Sequence, residues 1–512
     1  MAGWLTSPRE GCRGNHPEGT ATLIHAGGTM GTRSLRGILA IALVALLACA
    51  CGETSGPGAP FVPAPAPPAP ATNAVLRWNR VAVDATGFDH SVSGGREQAG
   101  PVRASRAMAI VHIAMHDAVQ AVQGRFSPYR PQQPAPLPAS LDAAVAQAAH
   151  DTLVQLFPSQ RATFDAQLAA DLAAIPDGPS KTNGIEIGRR SAEIILLDRA
   201  NDGSDNATQS LPYNFGQLPG QWRVDPLNPG QQPLGANWGR VRPFVLAAAS
   251  QFRSPPPPAL TTPEYAAAYD EVLRLGGDGR ITPTRRTAEQ TLIGLYWAYD
   301  GTPSLGVPPR LYNQIAVLLA NQQGLTETGD LARFLALVNI AMADAGIACW
   351  ESKYVYNYWR PVAGIREADP GTGPSGLGDG NPNTAGDPNY VPLCAPASNL
   401  TVPNFTPPFP AYPSGHATFG GAIFQTFRHL FGRDDIAFTF VSDELNGVTT
   451  DNQGQVRPLV PRSFASFTQA EAENAQSRIY LGIHWQFDAT NGIFMGRQVA
   501  DVVFNQALRP VP

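Results

Sequence analysis

The sequence predicts an all-α fold, and three observations support this class. Apolar residues recur at helical spacing along most of the chain. Almost no run of alternating β-branched residues occurs. Charged residues make up only 15% of the chain, which holds 50 glycines and 49 prolines, so long ordered loops are expected between the helices. With 512 residues, 43% of them hydrophobic, the chain can bury a sizeable core.

The first sixty residues resemble an export signal. Two arginines within 33–36 precede an uncharged run over 37–50, which is shorter than the roughly 20 residues of a membrane span and is typical of a secretory signal. Residues 46–49, Leu-Leu-Ala-Cys, resemble a bacterial lipobox, in which the cysteine is acylated. An ordinary cleaved signal with an incidental cysteine is the alternative. The protein is therefore expected outside the cytoplasm, either secreted or periplasmic, or held in the cell envelope as a lipoprotein.

The chain divides into three parts. Residues 1–51 form the export segment, of which 1–29 precede Met30 and are set aside as a start-site overrun or a long leader. Residues 52–74 are rich in proline and predict an extended linker. Residues 75–512 form the helical domain, with the candidate site within 340–490. A membrane contact is expected only through the lipid anchor, and the net charge of -5 gives no basic surface for nucleic acid.

Helical periodicity places ten helices after the linker. They are predicted over 103–123, 140–156, 160–174, 184–200, 262–276, 284–299, 309–323, 330–357, 414–431 and 484–507. Two long stretches rich in Gly, Pro, Asn and Asp, 202–261 and 362–413, separate some of them. Loops of this length are usually binding loops or lids when they are ordered. We expect a functional role for 362–413, because it joins two of the motifs described next.

The first motif, KYVYNYWRP, sets Lys353 and Arg360 two turns apart on one face if it is helical. Two cations on one face repel each other unless an anion lies between them. A solvated face of a surface helix is the alternative. Four flanking aromatic residues favour partial burial and hence a site: Tyr354, Tyr356, Tyr358 and Trp359.

The second motif is Pro413-Ser414-Gly415-His416, which runs into a helix. A helix start with a close backbone approach at Gly415 offers free N–H donors and the positive dipole end to an anion. Ser414 adds a hydroxyl, and His416 adds an imidazole that titrates near neutral pH. The alternative is an ordinary capped helix without a ligand.

The third motif runs from Ser477-Arg478 to His484 and Asp488. Arg478 offers a planar fork of donors suited to oxyanions. Asp488 follows His484 by about one helical turn, where a carboxylate can fix the tautomer of a ligating imidazole. The alternative is that Asp488 pairs with Arg478.

Taken together, Lys-x6-Arg-Pro, Pro-Ser-Gly-His and Ser-Arg-x5-His-x3-Asp resemble the signature of the vanadium haloperoxidase and type 2 phosphatidic acid phosphatase superfamily. Segments beyond the signature, including RASRAMAIVHIAMHDAVQAV, PGQWRVDP and AMADAGIACWESKYVYNYWRPVAGIR, are similar to bacterial vanadium haloperoxidases. The resemblance covers most of residues 75–510. It implies a helical-bundle architecture of this type, with two four-helix bundles packed together.

The resemblance also implies a cofactor, orthovanadate, and a role for each motif residue. The histidine matching His484 is the metal ligand, and the residue matching Asp488 lies behind it. His416 would serve in acid–base catalysis, and Lys353 would bind vanadate and activate the bound peroxide. The remaining vanadate contacts would come from Arg360, Ser414, Gly415 through its N–H, and Arg478.

The implied reaction is oxidation of chloride, bromide or iodide by hydrogen peroxide to hypohalous acid, with an organic substrate as a further partner. Phe409 stands where chloroperoxidases of the family are similar in having Phe and many bromoperoxidases carry His. With Trp350, it predicts a chloroperoxidase-like halide pocket. Two other readings remain open: an acid phosphatase that forms a phosphohistidine at His484, and a catalytically silent oxyanion-binding lipoprotein.

The other candidate residues favour structural roles. His112 and His116 lie at i and i+4 beside an apolar stripe, and they are interpreted as packing histidines. His429 is expected to interact with a helix dipole, and Asp344 is either a partner of a site arginine or a carboxylate at the edge of the core. Whether Cys349 and Cys394 pair stays open, as does the oligomeric state, a homodimer included.

Overall fold

The computed structural model describes residues 73–205 and 212–512. These residues contain thirteen α-helices and one β-hairpin, joined by loops. The export segment and nearly all of the proline-rich linker lie outside the described residues. The helices are α1 Ala74–Asp89, α2 Pro101–Gln123, α3 Leu141–Leu156, α4 Arg161–Ala173, α5 Pro179–Arg199, α6 Pro263–Leu275, α7 Ala288–Tyr296, α8 Pro308–Gln322, α9 Thr328–Tyr356, α10 Pro361–Arg366, α11 Gly415–Phe431, α12 Phe467–Tyr480 and α13 Gln486–Gln506. The strands are β1 Phe438–Asn446 and β2 Leu459–Phe464. The predicted all-α class is confirmed.

Helix ends follow ordinary capping chemistry. The side chains of Ser140, Thr262 and Ser414 each accept a backbone N–H of the helix that follows, which satisfies a donor left free at a helix start. Helix α7 begins at a capping box formed by Thr287 and Gln290. The predicted start at Thr284 is therefore three residues early.

Helix α9 lies at the centre of the fold. It packs against α2 on one side and against α11 and α13 on another. Among the described residues it is the one helix long and apolar enough to cross a membrane, but 94% of its apolar window is buried inside the protein, as expected of a core helix. Around it, α2, α3 and α5 pack together, as do α11, α12 and α13. A division into two four-helix bundles stays a prediction.

Helices α11 and α13 make the most extensive helix–helix contact, and glycines allow their close approach. A Cβ added at Gly492 would lie 2.8 Å from the carbonyl oxygen of Ser414, and one at Gly496 would lie 2.6 Å from the amide nitrogen of Ala422. Real Cβ atoms almost never come within 3.0 Å of another heavy atom. Small residues at this crossing therefore hold the start of α11 against α13.

Three helices and the hairpin fall outside the predicted elements. The helices are α1, α10 and α12. Strands β1 and β2 pair antiparallel, with Phe438 opposite Phe464. Strand β1 does alternate, since Phe438, Phe440, Ser442 and Glu444 are buried while the residues between them are less so. Phenylalanine, serine and glutamate rather than β-branched residues carry this alternation, so a search for β-branched runs passes over it.

Both cysteines among the described residues are free. Cys349 and Cys394 are buried and unpaired. Burial raises the pKa of the Cys349 thiol, so the neutral form is favoured. A disulfide between them is not part of this fold.

Candidate active site

The three sequence motifs converge on one cleft. Its volume is about 320 Å³, and it lies at the start of α11. Lys353 comes from the end of α9, Arg360 caps α10, and Arg478 lies near the end of α12. The cleft is lined by Gly415 and His416 of the second motif, by Arg478 and His484 of the third, and by Trp350 and Phe409 of the predicted halide pocket. Lys353 and Arg360 of the first motif lie behind this lining, where Arg360 contacts His484 and Lys353 contacts the 410–413 loop.

His484 presents a basic nitrogen at this point. Its Nδ1 donates to Asp488 Oδ2 at 2.8 Å, and the same carboxylate oxygen accepts the N–H of Trp485 at 2.9 Å. The proton on Nδ1 leaves a lone pair on Nε2, which lies 2.9 Å from Arg360 Nη1. Burial and the nearby cations hold the pKa of His484 well below its usual value, so the imidazole is neutral. The alternative pairing of Asp488 with Arg478 is not what the structure shows.

Arginine donors without acceptors surround this nitrogen. Arg360 donates to the carbonyls of Phe409 and Ile483, but its Nη2 is buried without a partner. Arg478 uses Nη2 to reach Asp300 at 2.7 Å, while its Nε and Nη1 are also buried without a partner. Burial lowers the pKa of Arg360 to about 9. Buried donors left unpaired are costly, and an oxyanion beside His484 would satisfy them.

Asp300 is a site residue that the sequence motifs do not include. Its side chain is almost fully buried and pairs with Arg478, and burial raises its pKa although Arg478 opposes the shift. The pair spans 178 positions of sequence. Asp300 lies in the loop after α7 and belongs to none of the three sequence motifs. Its contact with Arg478 is therefore seen only in the folded structure.

Lys353 is more constrained than a solvent-facing lysine. Its fully buried ammonium donates to the carbonyls of Pro410 and Ala411, at 2.8 and 2.9 Å, and to that of Pro413. Burial lowers its pKa to about 7. An ammonium has three donors, and here the loop that leads into α11 takes all three. In this arrangement Lys353 anchors that loop, and it must exchange a carbonyl to contact a ligand directly.

The start of α11 supplies the remaining polar groups. Ser414 is the cap residue, and its hydroxyl accepts the N–H of Ala417 at 3.5 Å. A Cβ at Gly415 would lie 3.2 Å from the Trp350 ring, so this position is fitted to glycine. The N–H groups of a first helical turn have no acceptor within the helix. The N–H groups of Gly415 and His416 are therefore available to an anion.

His416 is held in a single tautomer. Its Nε2 donates to the carbonyl oxygen of Ala298 at 2.6 Å, so Nδ1 carries the lone pair. Burial, with Arg478 nearby, holds the pKa of His416 well below its usual value. The backbone carbonyl of His416 accepts from Tyr312 and Asn474, which fixes the first turn of α11. The structure thus places two neutral imidazoles, each with one lone pair, at the same cleft.

The predicted halide pocket forms an aromatic wall. The ring centroids of Trp350 and Phe409 lie 4.8 Å apart. Lys353 Nζ lies 5.2 Å from the Phe409 ring, and the Arg360 guanidinium lies 4.9 Å from it. Both cations therefore lie within cation–π distance of Phe409, which joins the apolar wall to the cationic side of the site.

The other candidates lie away from the cleft. His112 is buried and contacts the Met108 carbonyl and Asn79, and His116 contacts Asp117. Asp344 accepts three backbone N–H groups of 244–246, so it anchors a loop and is not the partner of a site arginine. His429 pairs with Asp501 at 2.7 Å. Among the described residues, no group of three or more His, Cys, Asp or Glu could hold a metal ion.

The fold and the cleft define a class: a helical protein whose cleft brings two neutral imidazoles and buried arginine donors together in an arrangement that suits an oxyanion. The family model described as the VCPO second helical-bundle domain matches residues 333–511, and that of the vanadium chloroperoxidase N-terminal domain matches 63–186. The vanadium chloroperoxidase of Curvularia inaequalis is 33% identical over 496 residues, which cover 82% of this chain and 79% of that protein. The chain belongs to the vanadium haloperoxidase family.

Solved structures agree on the fold. A structure described as the first bacterial vanadium-dependent iodoperoxidase matches with a TM-score of 0.68 at 23% identity, covering 85% of this chain and 98% of that one. The holo form of a bacterial vanadium-dependent chloroperoxidase matches with a TM-score of 0.58 at 18% identity, covering 83% and 92%. At these identities the likeness shows a shared fold.

Proposed function

We propose that this protein is a vanadium-dependent haloperoxidase, which uses hydrogen peroxide to oxidise a halide to hypohalous acid. The observation that carries the proposal is the set of buried, unpartnered donors around His484: Arg360 Nη2, Arg478 Nε and Arg478 Nη1. Vanadate matches phosphate in charge and shape, and these residues fit it. Membership of the family supports the choice of vanadate as the cofactor.

Each residue around the cleft has a task in this proposal. His484 would bind vanadium through Nε2, because Asp488 keeps its proton on Nδ1. Arg360 Nη1, which donates to Nε2 in this structure, would turn to a vanadate oxygen. The unpartnered nitrogens of Arg360 and Arg478 would bind the oxygens, with Ser414 and the N–H of Gly415. When bound, vanadate supplies a Lewis acid that activates hydrogen peroxide toward halide.

Proton movement would fall to His416. Its Nε2–H is committed to Ala298, so Nδ1 can accept a proton as peroxide enters and return it as product leaves. Its lowered pKa keeps it in the base form near neutral pH. Lys353, fixed among carbonyls, would add positive charge beside the ligand and act on peroxide after it exchanges one carbonyl.

The test begins with apoprotein and orthovanadate. Halogenation of a dye by peroxide and each halide should appear on addition of orthovanadate, and inorganic phosphate should compete with that gain. A His484→Ala variant should lose the gain, and a His429→Ala variant, altered far from the cleft, should keep it. Failure to halogenate with any halide under saturating vanadate would reject the proposal. Release of phosphate from an aryl phosphate, inhibited by vanadate, would instead establish the phosphatase.

We also propose that the halide pocket is chloroperoxidase-like, on the apolar wall of Trp350 and Phe409. A Phe409→His variant would place a polar ring near Lys353 and Arg360. We expect the ratio of chloride to bromide oxidation to fall in this variant. An unchanged ratio would contradict the proposed role of the wall.

Export as a lipoprotein is proposed from the leader sequence alone. In a bacterial host, the mature chain should begin at Cys49 and carry fatty acid. Mass spectrometry of the purified protein gives the mature terminus directly. A mature chain that keeps residues before Cys49 would exclude lipidation at this position.

A further inference from the structure

The segment Ala298–Tyr299–Asp300 touches two site side chains at once. The carbonyl of Ala298 accepts from His416 Nε2 at 2.6 Å, and Asp300 accepts from Arg478 at 2.7 Å. The tautomer of His416 and the direction of the Arg478 guanidinium therefore depend on the same three residues. A shift of this segment would disturb both.

The middle residue of the segment has an unfavourable backbone conformation. Tyr299 has a φ of 43°, in the left-handed region that favours glycine. A non-glycine residue persists there when its surroundings hold it in place. The carbonyl of Ala298 and the side chain of Asp300 flank this residue, so whatever holds Tyr299 also sets their directions.

The β-hairpin holds Tyr299 in this conformation. Tyr299 donates its N–H to Glu444 Oε1 at 3.0 Å, and its hydroxyl accepts the N–H of Asp443 at 2.7 Å. Next to it, Ser442 donates to the carbonyl of Tyr296 at 2.6 Å. Strand β1 thus lies along the segment and bonds to it at several points.

Glu444 is the unusual member of this contact. It is fully buried on the inner face of β1, where a carboxylate is expensive unless it is paired. Arg457 and Ser398 both donate to its Oε2, and Arg457 also donates to Ser398. One oxygen of Glu444 is thus fixed by the hairpin and an adjoining loop, and the other is left to hold Tyr299.

We propose that Glu444 is a positioning residue for the oxyanion site. Held by Arg457 and Ser398, it fixes the backbone of Tyr299 and through it the partners of His416 and Arg478. The inference rests on the proposed function, because it assigns Glu444 a part in orienting the groups that would hold vanadate and move protons. No residue of the hairpin lines the cleft, so Glu444 would act on the site through Tyr299.

The test compares Glu444→Gln with Asp443→Asn. Asp443 precedes Glu444 on β1, and its side chain pairs with Arg310 and Gln314. Gln314 in turn accepts from the Tyr299 hydroxyl, so this control disturbs the docking of the hairpin and the hydroxyl end of Tyr299 but leaves the bond from Glu444 to the Tyr299 backbone intact. Residues that orient ligating groups typically change metal affinity or activity by about 10–100-fold. We expect Glu444→Gln to weaken binding of orthovanadate and inorganic phosphate to the apoprotein by about 10-fold or more, with Asp443→Asn within about twofold of the parent.

A spectroscopic readout separates positioning from loss of stability. The ¹⁵N shifts of the ring nitrogens of His416, assigned by difference from a His416→Gln sample, report its tautomer. We expect the Nε2–H form in the parent and in Asp443→Asn, and a mixture of tautomers in Glu444→Gln. Because this variant leaves the buried Arg457 without a carboxylate partner, it can fail to fold. Ser398→Ala, which removes one donor to Glu444 but keeps the ion pair, should then show a smaller change in the same direction.

The outcomes are distinct. If the parent protein binds orthovanadate and halogenates, but folded Glu444→Gln matches Asp443→Asn in both affinity and tautomer, the role of Glu444 is refuted. If Glu444→Gln does not fold, an Ser398→Ala protein identical to the parent refutes it. If the parent neither binds orthovanadate nor halogenates, the proposed function fails, and the inference fails with it.

Discussion

A methyl group added between α11 and α13, in a Gly492→Ala variant, should distort the oxyanion site by displacing the start of α11. Gly492 lies on α13 against the first turn of α11, and a Cβ there would come 2.8 Å from the Ser414 carbonyl oxygen and 2.9 Å from the Cβ of Ala417. Both are parts of the helix start that would hold the anion. An ordinary contact begins at 3.4 Å, so in Gly492→Ala the two helices must part by about 0.6 Å.

The size of the effect follows from this displacement. A misplacement of about 1 Å can cost on the order of 100-fold in activity, so a shift of about 0.6 Å is expected to cost roughly 10-fold in affinity for orthovanadate, or about 1.4 kcal/mol. Overpacking of this kind also costs about 1–3 kcal/mol of stability, of which roughly 1 kcal/mol is offset because alanine favours a helix over glycine.

The assay is an equilibrium titration of apoprotein with orthovanadate, paired with urea unfolding. Thr490→Ala, on the exposed face of the same helix, is the control and should match the parent in both measurements. Gly496→Ala clashes one turn further from the cleft and should lose stability with less effect on affinity. An unchanged affinity in folded Gly492→Ala would refute the idea that this helix crossing sets the geometry of the site.

Three further predictions concern single groups. Burial lowers the pKa of His112 to about 4 from 6.5, so its contribution to stability is present above pH 6.5 and is lost as the pH falls toward 4. Between pH 7.5 and 5 the parent should lose about 2 kcal/mol more stability than His112→Gln in urea unfolding, and equal losses would contradict the shift. Asp488→Asn keeps an acceptor for His484 but removes its charge, so orthovanadate should bind about 10–100-fold more weakly, and unchanged binding would show that the charge is not needed. Arg478→Lys keeps a charge that can reach Asp300 but loses the planar fork of donors. If each lost charged hydrogen bond is worth about 1.5–3 kcal/mol, the affinity of the apoprotein for phosphate, measured by calorimetry, should fall by at least about 10-fold. An affinity equal to that of the parent would refute a direct role for the fork.

The sequence carries enough information to predict the helices because helix formation leaves a local trace. The ten predicted ranges all coincide with helices, and most ends agree within a few residues. Two of the three missed helices lack that trace. Helix α10 spans only Pro361–Arg366, too short to show a period, and α12 begins in a run of polar residues. The hairpin was missed because its inner face carries Ser442 and Glu444, whose burial depends on partners far away in sequence.

In the site, too, contacts between residues close in sequence can be predicted, whereas contacts between distant residues cannot. His484 and Asp488 stand one turn apart, so their contact is local and can be read from spacing, although spacing alone did not decide whether Asp488 pairs with His484 or Arg478. Asp300 and Glu444 act across long loops, and no local pattern marks them. The carbonyls that surround Lys353 are invisible to any motif, because backbone oxygens carry no residue identity. Sequence thus predicts which groups meet the ligand better than it predicts what holds those groups.

The charge balance around the cleft favours an anion. Three cations, Lys353, Arg360 and Arg478, are buried together, against the carboxylates of Asp300 and Asp488. Burial raises the pKa of both carboxyls, that of Asp488 to about 7, and lowers the pKa of Lys353 to about 7 and that of Arg360 to about 9. Burial therefore weakens charge of both signs, and Arg360 stays cationic near neutral pH. The unpartnered arginine nitrogens add the cost of unmade hydrogen bonds. A multiply charged oxyanion removes both penalties at once, which ties its binding to the stability of the helix ends that form the cleft.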